Sequence, residues 1–122
     1  MIPYSRQYLD KNDIYEVSKV LRSKLITQGD KVKLFEKKIC KKIGSKYGVS
    51  VNSATSALHI ACLALGLKNN DYLWTVPNTF VASANCGVYC GAKIDFVDID
   101  ENTFNISLSE LNKKLEISKK LK

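Results

Sequence analysis

The chain has 122 residues, of which 45% are hydrophobic and 25% charged, and its formal net charge is +7. This composition is ordinary for one modest globular domain. No apolar run approaches the roughly 20 residues of a membrane-spanning helix, and the N-terminus shows no signal-peptide pattern, so we expect a cytoplasmic protein with no membrane partner.

The lysines cluster along one predicted helix and near the end of the chain. They are not interleaved with aromatic residues and match no nucleic-acid-binding module, so a solvated helix face is favoured and no nucleic-acid partner is predicted. The lysines concerned are Lys31, Lys33, Lys37, Lys38, Lys41, Lys42, Lys113, Lys114, Lys119, Lys120 and Lys122.

The cysteines form no Cys-x-x-Cys pair, and His59 is the only histidine. A zinc site would need tighter ligand pairs, so no metal is predicted. Buried, reduced thiols that act as small apolar side chains are favoured. The four cysteines are Cys40, Cys62, Cys86 and Cys90.

The first part of the chain predicts an extended segment and two amphipathic helices. Residues 1–10 are extended, and Asp10 or Asn12 can cap a helix that continues to about Lys24. A loop with Gly29 as its turn residue follows, and the second helix ends at Gly44. The apolar stripes at helical spacing are Ile14, Val17, Leu21 and Leu25, then Val32, Phe35, Ile39 and Ile43.

The second part predicts alternating strands and helices. Strands are expected at residues 47–52, 73–76 and 94–99. Helices are expected at residues 54–65, with few polar positions and therefore buried, at residues 79–90, and after a cap at Ser107 or Ser109. This alternation is the signature of an α/β layer, with right-handed crossovers if the strands are parallel.

Three strands are too few for a well-covered α/β sheet, because both faces of such a sheet need burial. We therefore expect a fragment of a larger fold. Residues 1–45 would be the N-terminal extended segment and helices, and residues 46–122 an incomplete first part of an α/β domain.

A candidate anion site lies where residues 47–52 lead into the next helix. The first amides of that helix belong to Ala54, Thr55 and Ser56. Free amides at the positive end of a helix, beside hydroxyl groups, can hold a phosphate. An ordinary Asn or Ser helix cap is the alternative interpretation of the same residues.

Several motifs, in matching order, resemble the N-terminal third of the DegT–StrS nucleotide-sugar aminotransferases. They cover nearly the whole chain and are found at residues 2–5, 25–29, 35–36, 52–59, 77–85, 91–92, 96–99 and 103–106. The resemblance implies an α/β fold, namely the N-terminal part of the fold-type I aminotransferase large domain, preceded by two amphipathic helices. It also implies pyridoxal 5'-phosphate (PLP) as cofactor.

The resemblance assigns roles to seven residues of this chain. Ala54, Thr55 and Ser56 would hold the cofactor phosphate, and Phe80 would stack on the cofactor ring. Alanine replaces the family's common glycine at position 54, which requires that φ there is not positive. The substrate-binding residues implied, all near the nucleotide-sugar entrance, are Tyr4, Thr27 and Gln28.

The family's Schiff-base lysine and the aspartate on the pyridine nitrogen lie beyond residue 122. No catalytic residue is therefore assigned here, and the chain alone is expected to be inactive. His59 and the acidic group of Asp95, Asp98 and Asp100 are interpreted as structural.

The variant Ser-Ala-Thr-Ser-Ala at residues 53–57 is similar to that of the family's transaminases for pseudaminic acid biosynthesis. The implied substrate is a UDP-linked 4-keto-6-deoxy-N-acetylhexosamine, converted to its 4-amino sugar with glutamate as donor, and the complete protein would be a homodimer. A non-catalytic, phosphate- or nucleotide-binding α/β regulatory module is the alternative.

Overall fold

The computed structural model describes residues 2–119, which contain five helices and two strands. In chain order these are α1 (Lys11–Leu21), α2 (Asp30–Ile43), α3 (Ala54–Ala64), β1 (Tyr72–Thr75), α4 (Ala82–Tyr89), β2 (Lys93–Phe96) and α5 (Leu108–Lys119). They fall into two compact units, Met1–Ser50 and Val51–Lys122. The predicted domain boundary after residue 45 remains a prediction.

Helix α1 begins at the predicted cap. The Asp10 carboxylate accepts hydrogen bonds from the amides of Asn12 and Asp13 at 2.7 and 3.0 Å. The Asp13 carboxylate accepts from the Asp10 amide at 2.9 Å, which completes a capping box. Asp10 is therefore the cap, and Asn12 lies within the helix. The helix ends at Leu21, earlier than the predicted Lys24.

Helix α2 ends as predicted, but the strand expected directly after it is absent. Gly44 adopts the left-handed conformation at φ 70°, as a helix C-cap requires. Within residues 2–119, residues 47–52 join no strand. The amide and hydroxyl of Ser50 donate instead to the Glu36 carboxylate at 2.8 and 2.9 Å. The Glu36 side chain of α2 thus accepts the hydrogen bond from the Ser50 amide, which is then not available to pair with a neighbouring strand.

These two hydrogen bonds lower the pKa of Glu36, the Ser50 amide being the larger cause. A depressed carboxyl pKa stabilises the folded state above the ordinary glutamate range, and this stabilisation is lost as the pH falls through the folded pKa. We expect Glu36→Gln to be less stable than the native chain at neutral pH, and the difference to shrink under acid. Urea unfolding as a function of pH measures it.

Glu16→Gln is the matched control, because Glu16 also lies in Met1–Ser50 but is held only by the exposed lysines Lys19 and Lys31. Exposed ion pairs contribute little, so this control should change stability less than Glu36→Gln does. Equal losses from the two variants at neutral pH would contradict the role of Glu36.

The second unit is built on a parallel pair of strands. β1 and β2 pair in register, with Leu73 opposite Ile94 and Trp74 opposite Asp95. Helix α4 crosses between them and packs on both strands. Its Gly87 is buried against the first of these pairs, since a methyl group there would lie 3.0 Å from the Leu73 Cβ. The small core comprises Ala82, Cys86, Ala92 and Val97.

Lys114 ties helix α5 to the sheet. Its ammonium group pairs with the Asp95 carboxylate at 2.5 Å and donates to the Phe96 carbonyl at 2.6 Å. It also lies 5.3 Å from the centre of the Trp74 ring. The hydrogen bond from Lys114 is the largest cause that lowers the pKa of Asp95. Ser107, one of the two predicted caps, accepts from the Glu110 amide at 3.3 Å and begins α5.

Three further predictions need correction. Helix α3 was expected to be buried, but none of its residues is, because only α4 packs substantially on it and Leu63 stays 53% exposed. Helix α4 begins at Ala82 rather than at residue 79, after a turn in which the Ser83 amide donates to the Phe80 carbonyl. The strand expected at residues 94–99 is Lys93–Phe96, followed by an isolated bridge between Ile99 and Ile106.

Candidate functional site

The first turn of α3 combines a serine cap with two free amides. The hydroxyl of Ser53 accepts from the Ser56 amide at 3.2 Å, so the predicted cap is present. In the described part of the chain, no protein acceptor binds the amides of Ala54 and Thr55. The alternative of an ordinary cap therefore accounts for the Ser56 amide, while the amides of the two preceding residues remain available to a ligand.

Hydroxyl and amide groups surround this turn. The Ser56 hydroxyl donates to the Asn52 side-chain carbonyl at 2.9 Å and lies 3.0 Å from the Ser53 hydroxyl. Ala54 is absent from the residues with positive φ, so alanine causes no backbone strain there, as the sequence required. The turn thus offers unpaired amides, hydroxyls and the positive end of an 11-residue helix, all of which suit a phosphate.

Phe80 lies in the connection from β1 to α4, beyond the carboxyl end of β1. Its side chain is 75% exposed and therefore free to contact a ligand. In open α/β sheets, ligands bind beyond the carboxyl ends of the strands. The exposure fits either a stacking ring or a ring that other parts of a larger fold would cover.

The far ends of α3 and α4 meet at the opposite edge of the sheet. A methyl group on Gly91, just after α4, would lie 3.7 Å from the amide nitrogen of Asn69, in the connection from α3 to β1. Cys62 near the end of α3 lines one cavity with Tyr72 and Leu73 at the start of β1. This arrangement directs the beginnings of both helices toward the carboxyl edge of the sheet.

The predicted substrate residues all belong to the first unit. Tyr4 is fully exposed in the extended segment before α1. Thr27 and Gln28 lie in the connection from α1 to α2, where Gln28 adopts φ 55°. Left-handed backbone is uncommon for residues other than glycine, and such outliers are found preferentially at functional sites. The three residues remain predictions.

His59 and the acidic residues contact neighbouring protein groups in the described part of the chain. The His59 ring packs edge-on against the Tyr89 ring with centroids 5.2 Å apart, and its side chain makes no hydrogen bond within residues 2–119. Asp100 caps its own loop, and the amides of Thr103 and then Asn102 lower its pKa. The Asp98 carboxylate accepts from the Ile99 amide at 2.8 Å.

The cysteines are free thiols, but the predicted burial is correct only for Cys86. The other three are half-buried. Desolvation, followed by a hydrogen bond with Cys86, raises the pKa of Cys62 to about 11. The protonated thiol is a poor nucleophile, so Cys62 is not a candidate catalytic group. Residues 2–119 contain no cluster of His, Cys, Asp and Glu that could hold a metal.

One contact at the carboxyl edge was not predicted. The Asn78 side-chain amide donates to the Phe104 carbonyl at 3.2 Å, which joins the connection after β1 to the connection after β2. Phe104 adopts φ 58° and is 66% exposed. Nothing in the sequence signals a pairing across 26 positions, although Asn before a turn is a common side-chain donor.

No helix in the described residues is both long and apolar enough to cross a membrane.

The second unit is a parallel α/β unit in which the first turn of α3 carries free amides, a feature that many phosphate-binding domains share. The model of the DegT/DnrJ/EryC1/StrS aminotransferase family matches residues 7–121. The chain belongs to this family, and the predicted fold, the N-terminal part of a PLP-dependent aminotransferase large domain, is confirmed.

Individual relatives support the same family assignment. The chain is 45% identical over 115 residues to a UDP-4-amino-4,6-dideoxy-N-acetyl-beta-L-altrosamine transaminase of Campylobacter jejuni, covering 94% of this chain and 30% of that protein. A Streptococcus pneumoniae structure described as a sugar aminotransferase in its PLP form matches with a TM-score of 0.87 and 31% identity, over 92% of this chain and 29% of that one.

Helicobacter pylori PseC, an aminotransferase of pseudaminic acid biosynthesis, matches with a TM-score of 0.84 and 36% identity, over 91% of this chain and 30% of that one. The chain thus spans about 30% of the length of these relatives. The comparisons favour an aminotransferase over a non-catalytic regulatory module.

Proposed function

We propose that this chain is the N-terminal part of a PLP-dependent sugar aminotransferase, in which it forms the phosphate end of the cofactor site. The observation that carries the proposal is the open first turn of α3, where the Ala54 and Thr55 amides have no protein acceptor within residues 2–119. The 45% identity to the Campylobacter jejuni transaminase across 94% of the chain supports it.

The residues of this turn fit a phosphate ester. The amides of Ala54 and Thr55 and the Thr55 hydroxyl would donate to it, and the Ser56 hydroxyl lies on the same turn. The positive end of α3 favours the dianion by a further amount, typically 0.3–1 kcal/mol per charge at an exposed site. The amide of Ser56 contributes only if it exchanges the Ser53 hydroxyl for the phosphate.

PLP, when bound, supplies the electron sink that a transamination needs. Phe80 would lie on its ring, hold the plane of the ring, and exclude water from one face. An aromatic stacking contact of this kind contributes about 0.5–1.5 kcal/mol beyond the area it buries. No residue of this chain is assigned a proton-transfer or nucleophilic role.

The proposed substrate is a UDP-linked 4-keto-6-deoxy-N-acetylhexosamine, and the product is its 4-amino sugar. Glutamate is the proposed amino donor, and Tyr4, Thr27 and Gln28 are the proposed substrate contacts. The names of the Campylobacter jejuni and Helicobacter pylori relatives support this substrate class. We further propose that the complete protein is a cytoplasmic homodimer.

The proposed location of the cofactor lysine, beyond residue 122, gives a direct test. The 122-residue chain is mixed with PLP and borohydride, and lysine adducts are located by mass spectrometry. We expect only scattered, substoichiometric labelling, because the family's cofactor lysine is proposed to lie beyond residue 122. A specific, stoichiometric adduct on one lysine of this chain would refute the assignment.

The matching positive experiment uses the product of the reading frame continued past Lys122. We expect that product to form a single stoichiometric adduct and to transfer an amino group from glutamate to the UDP-keto sugar. Absence of both in a folded product would overturn the proposed activity.

A further inference from the structure

The hydrogen bond from Asn78 to the Phe104 carbonyl has a consequence for the proposed cofactor site. It joins two connections that both leave the carboxyl ends of the parallel strands. Asn78 is two residues before Phe80, in a segment with no regular secondary structure. The backbone just before the exposed Phe80 ring is therefore joined to the loop after β2 by the Asn78 side chain.

The acceptor is itself held firmly. The Phe104 amide donates to the Asp100 carbonyl at 2.8 Å, and the Asp100 amide donates to the Asn105 carbonyl at 2.8 Å. The Asp100 carboxylate accepts from the amides of Asn102 and Thr103, each at 3.0 Å. These bonds close the loop on itself, so the Phe104 carbonyl is a fixed point and not a mobile one.

The backbone at Phe104 is in a conformation that a bulky side chain rarely adopts. A φ of 58° costs free energy for a residue other than glycine. The Phe104 side chain is 66% exposed, so little packing of that ring offsets the cost. The carbonyl of this same residue accepts the hydrogen bond from Asn78. Strained backbone of this kind is found preferentially where geometry serves a function.

The segment is also held on its other side. The Thr79 and Ser83 hydroxyls lie 2.9 Å apart, and the Ser83 amide donates to the Phe80 carbonyl at 3.0 Å. Phe80 thus lies between a fixed point on the loop after β2 and the first turn of α4. Within this segment, the proposed function assigns a ligand, PLP, to the exposed Phe80 ring.

We propose that Asn78 is a positioning residue for Phe80, setting the ring for the PLP face through its hydrogen bond to the Phe104 carbonyl. This inference rests on the proposed function, which supplies the ligand for Phe80. A hydrogen bond of this kind contributes about 0.5–1.5 kcal/mol. We therefore expect Asn78→Ala to weaken PLP binding by roughly two- to tenfold.

The decisive measurement is a double-mutant cycle in the product of the reading frame continued past Lys122, with PLP affinity read from titration of the cofactor-free protein. If Asn78 acts through Phe80, Asn78→Ala weakens binding in the native chain but has no further effect in Phe80→Ala. A residue that merely supports the fold would weaken binding equally in both backgrounds, and that result would overturn the proposal.

Two further variants distinguish the role of the Phe104 carbonyl from that of the Phe104 ring. Phe104→Gly keeps the acceptor and suits the positive φ, so PLP affinity should stay within about twofold of the native value. Asn102→Ala, in the same loop, is the matched control and should also leave affinity unchanged. A loss in Phe104→Gly as large as that in Asn78→Ala would overturn the role given to the carbonyl.

A measurement without PLP completes the test. ¹⁵N relaxation of the Phe80 amide should show increased motion in Asn78→Ala and not in Asn102→Ala. If the relaxation of the Phe80 amide is unchanged in a folded Asn78→Ala variant, the positioning role is overturned. If Phe80→Ala binds PLP as tightly as the native chain does, the stacking role in the proposed function fails, and this inference fails with it.

Discussion

Replacing Thr55 by glutamate is expected to weaken PLP binding strongly while leaving α3 intact. Thr55 is the second residue of α3, and its amide has no protein acceptor in the described residues. A carboxylate placed there would face the dianionic phosphate. Two like charges about 4 Å apart near a protein surface repel by about 4 kcal/mol, so even half of this value lowers affinity by about 30-fold. We expect a loss of about 100-fold.

The same substitution should not harm the helix, which makes the effect specific. A negative charge in the first turn interacts favourably with the helix dipole, by typically 0.3–1 kcal/mol. Far-UV circular dichroism and urea unfolding should therefore show native or slightly raised stability. PLP affinity is followed from the shift of the residue 55 amide in NMR titration.

Thr55→Gln is the matched neutral control, because it has the size of glutamate without its charge. It removes the hydroxyl but leaves the amide, so we expect a loss of tenfold or less. If the glutamate and glutamine variants bind PLP equally well, the phosphate does not lie at this turn and the proposed site is wrong.

Gly87→Ala is expected to cause the largest loss of stability among single methyl additions in this chain. A methyl group at position 87 would lie 2.5 Å from the Ile94 Cδ1 and 3.0 Å from the Leu73 Cβ. The Leu73 Cβ is fixed by the β1 backbone and cannot move aside. Overpacking of this kind costs typically 1–3 kcal/mol, and it outweighs the roughly 1 kcal/mol that alanine contributes over glycine inside a helix.

The measurement is the free energy of unfolding in urea. Addition of Ile94→Val removes the closer of the two clashing atoms and should restore part of the loss. Ser83→Ala, also in α4 but half-buried, tests whether changes in this helix are harmful in general and should cost less. If Gly87→Ala is as stable as the native chain, α4 does not approach the sheet as closely as the structure shows.

Much of the local structure could be predicted because its causes are local. The Asp10 cap, the Gly44 ending of α2 and the Ser107 cap each depend on a residue within a few positions of the helix end. The first turn of α3 belongs to the same group, since the Ser53 cap and the free amides that follow it lie within one turn. The residue pattern also carried the family, which the match to residues 7–121 confirms.

What the sequence could not give depends on partners far along the chain. Residues 47–52 have the composition of a strand, but a strand exists only where another strand pairs with it, and Glu36 takes the Ser50 amide instead. Helix α3 reads as buried, yet its burial depends on how many elements cover it. The bond from Asn78 to Phe104 spans 26 positions and involves a backbone carbonyl, which no residue pattern encodes.

The sequence by itself therefore determined the family and the cap at the start of α3, because caps, helix dipoles and free amides arise within single turns of the chain. Only the tertiary structure decided which donors are already used and which loop accepts the hydrogen bond from Asn78. Hydrogen bonds and packing between distant residues depend on the path of the folded chain, and that path is set by all the contacts together.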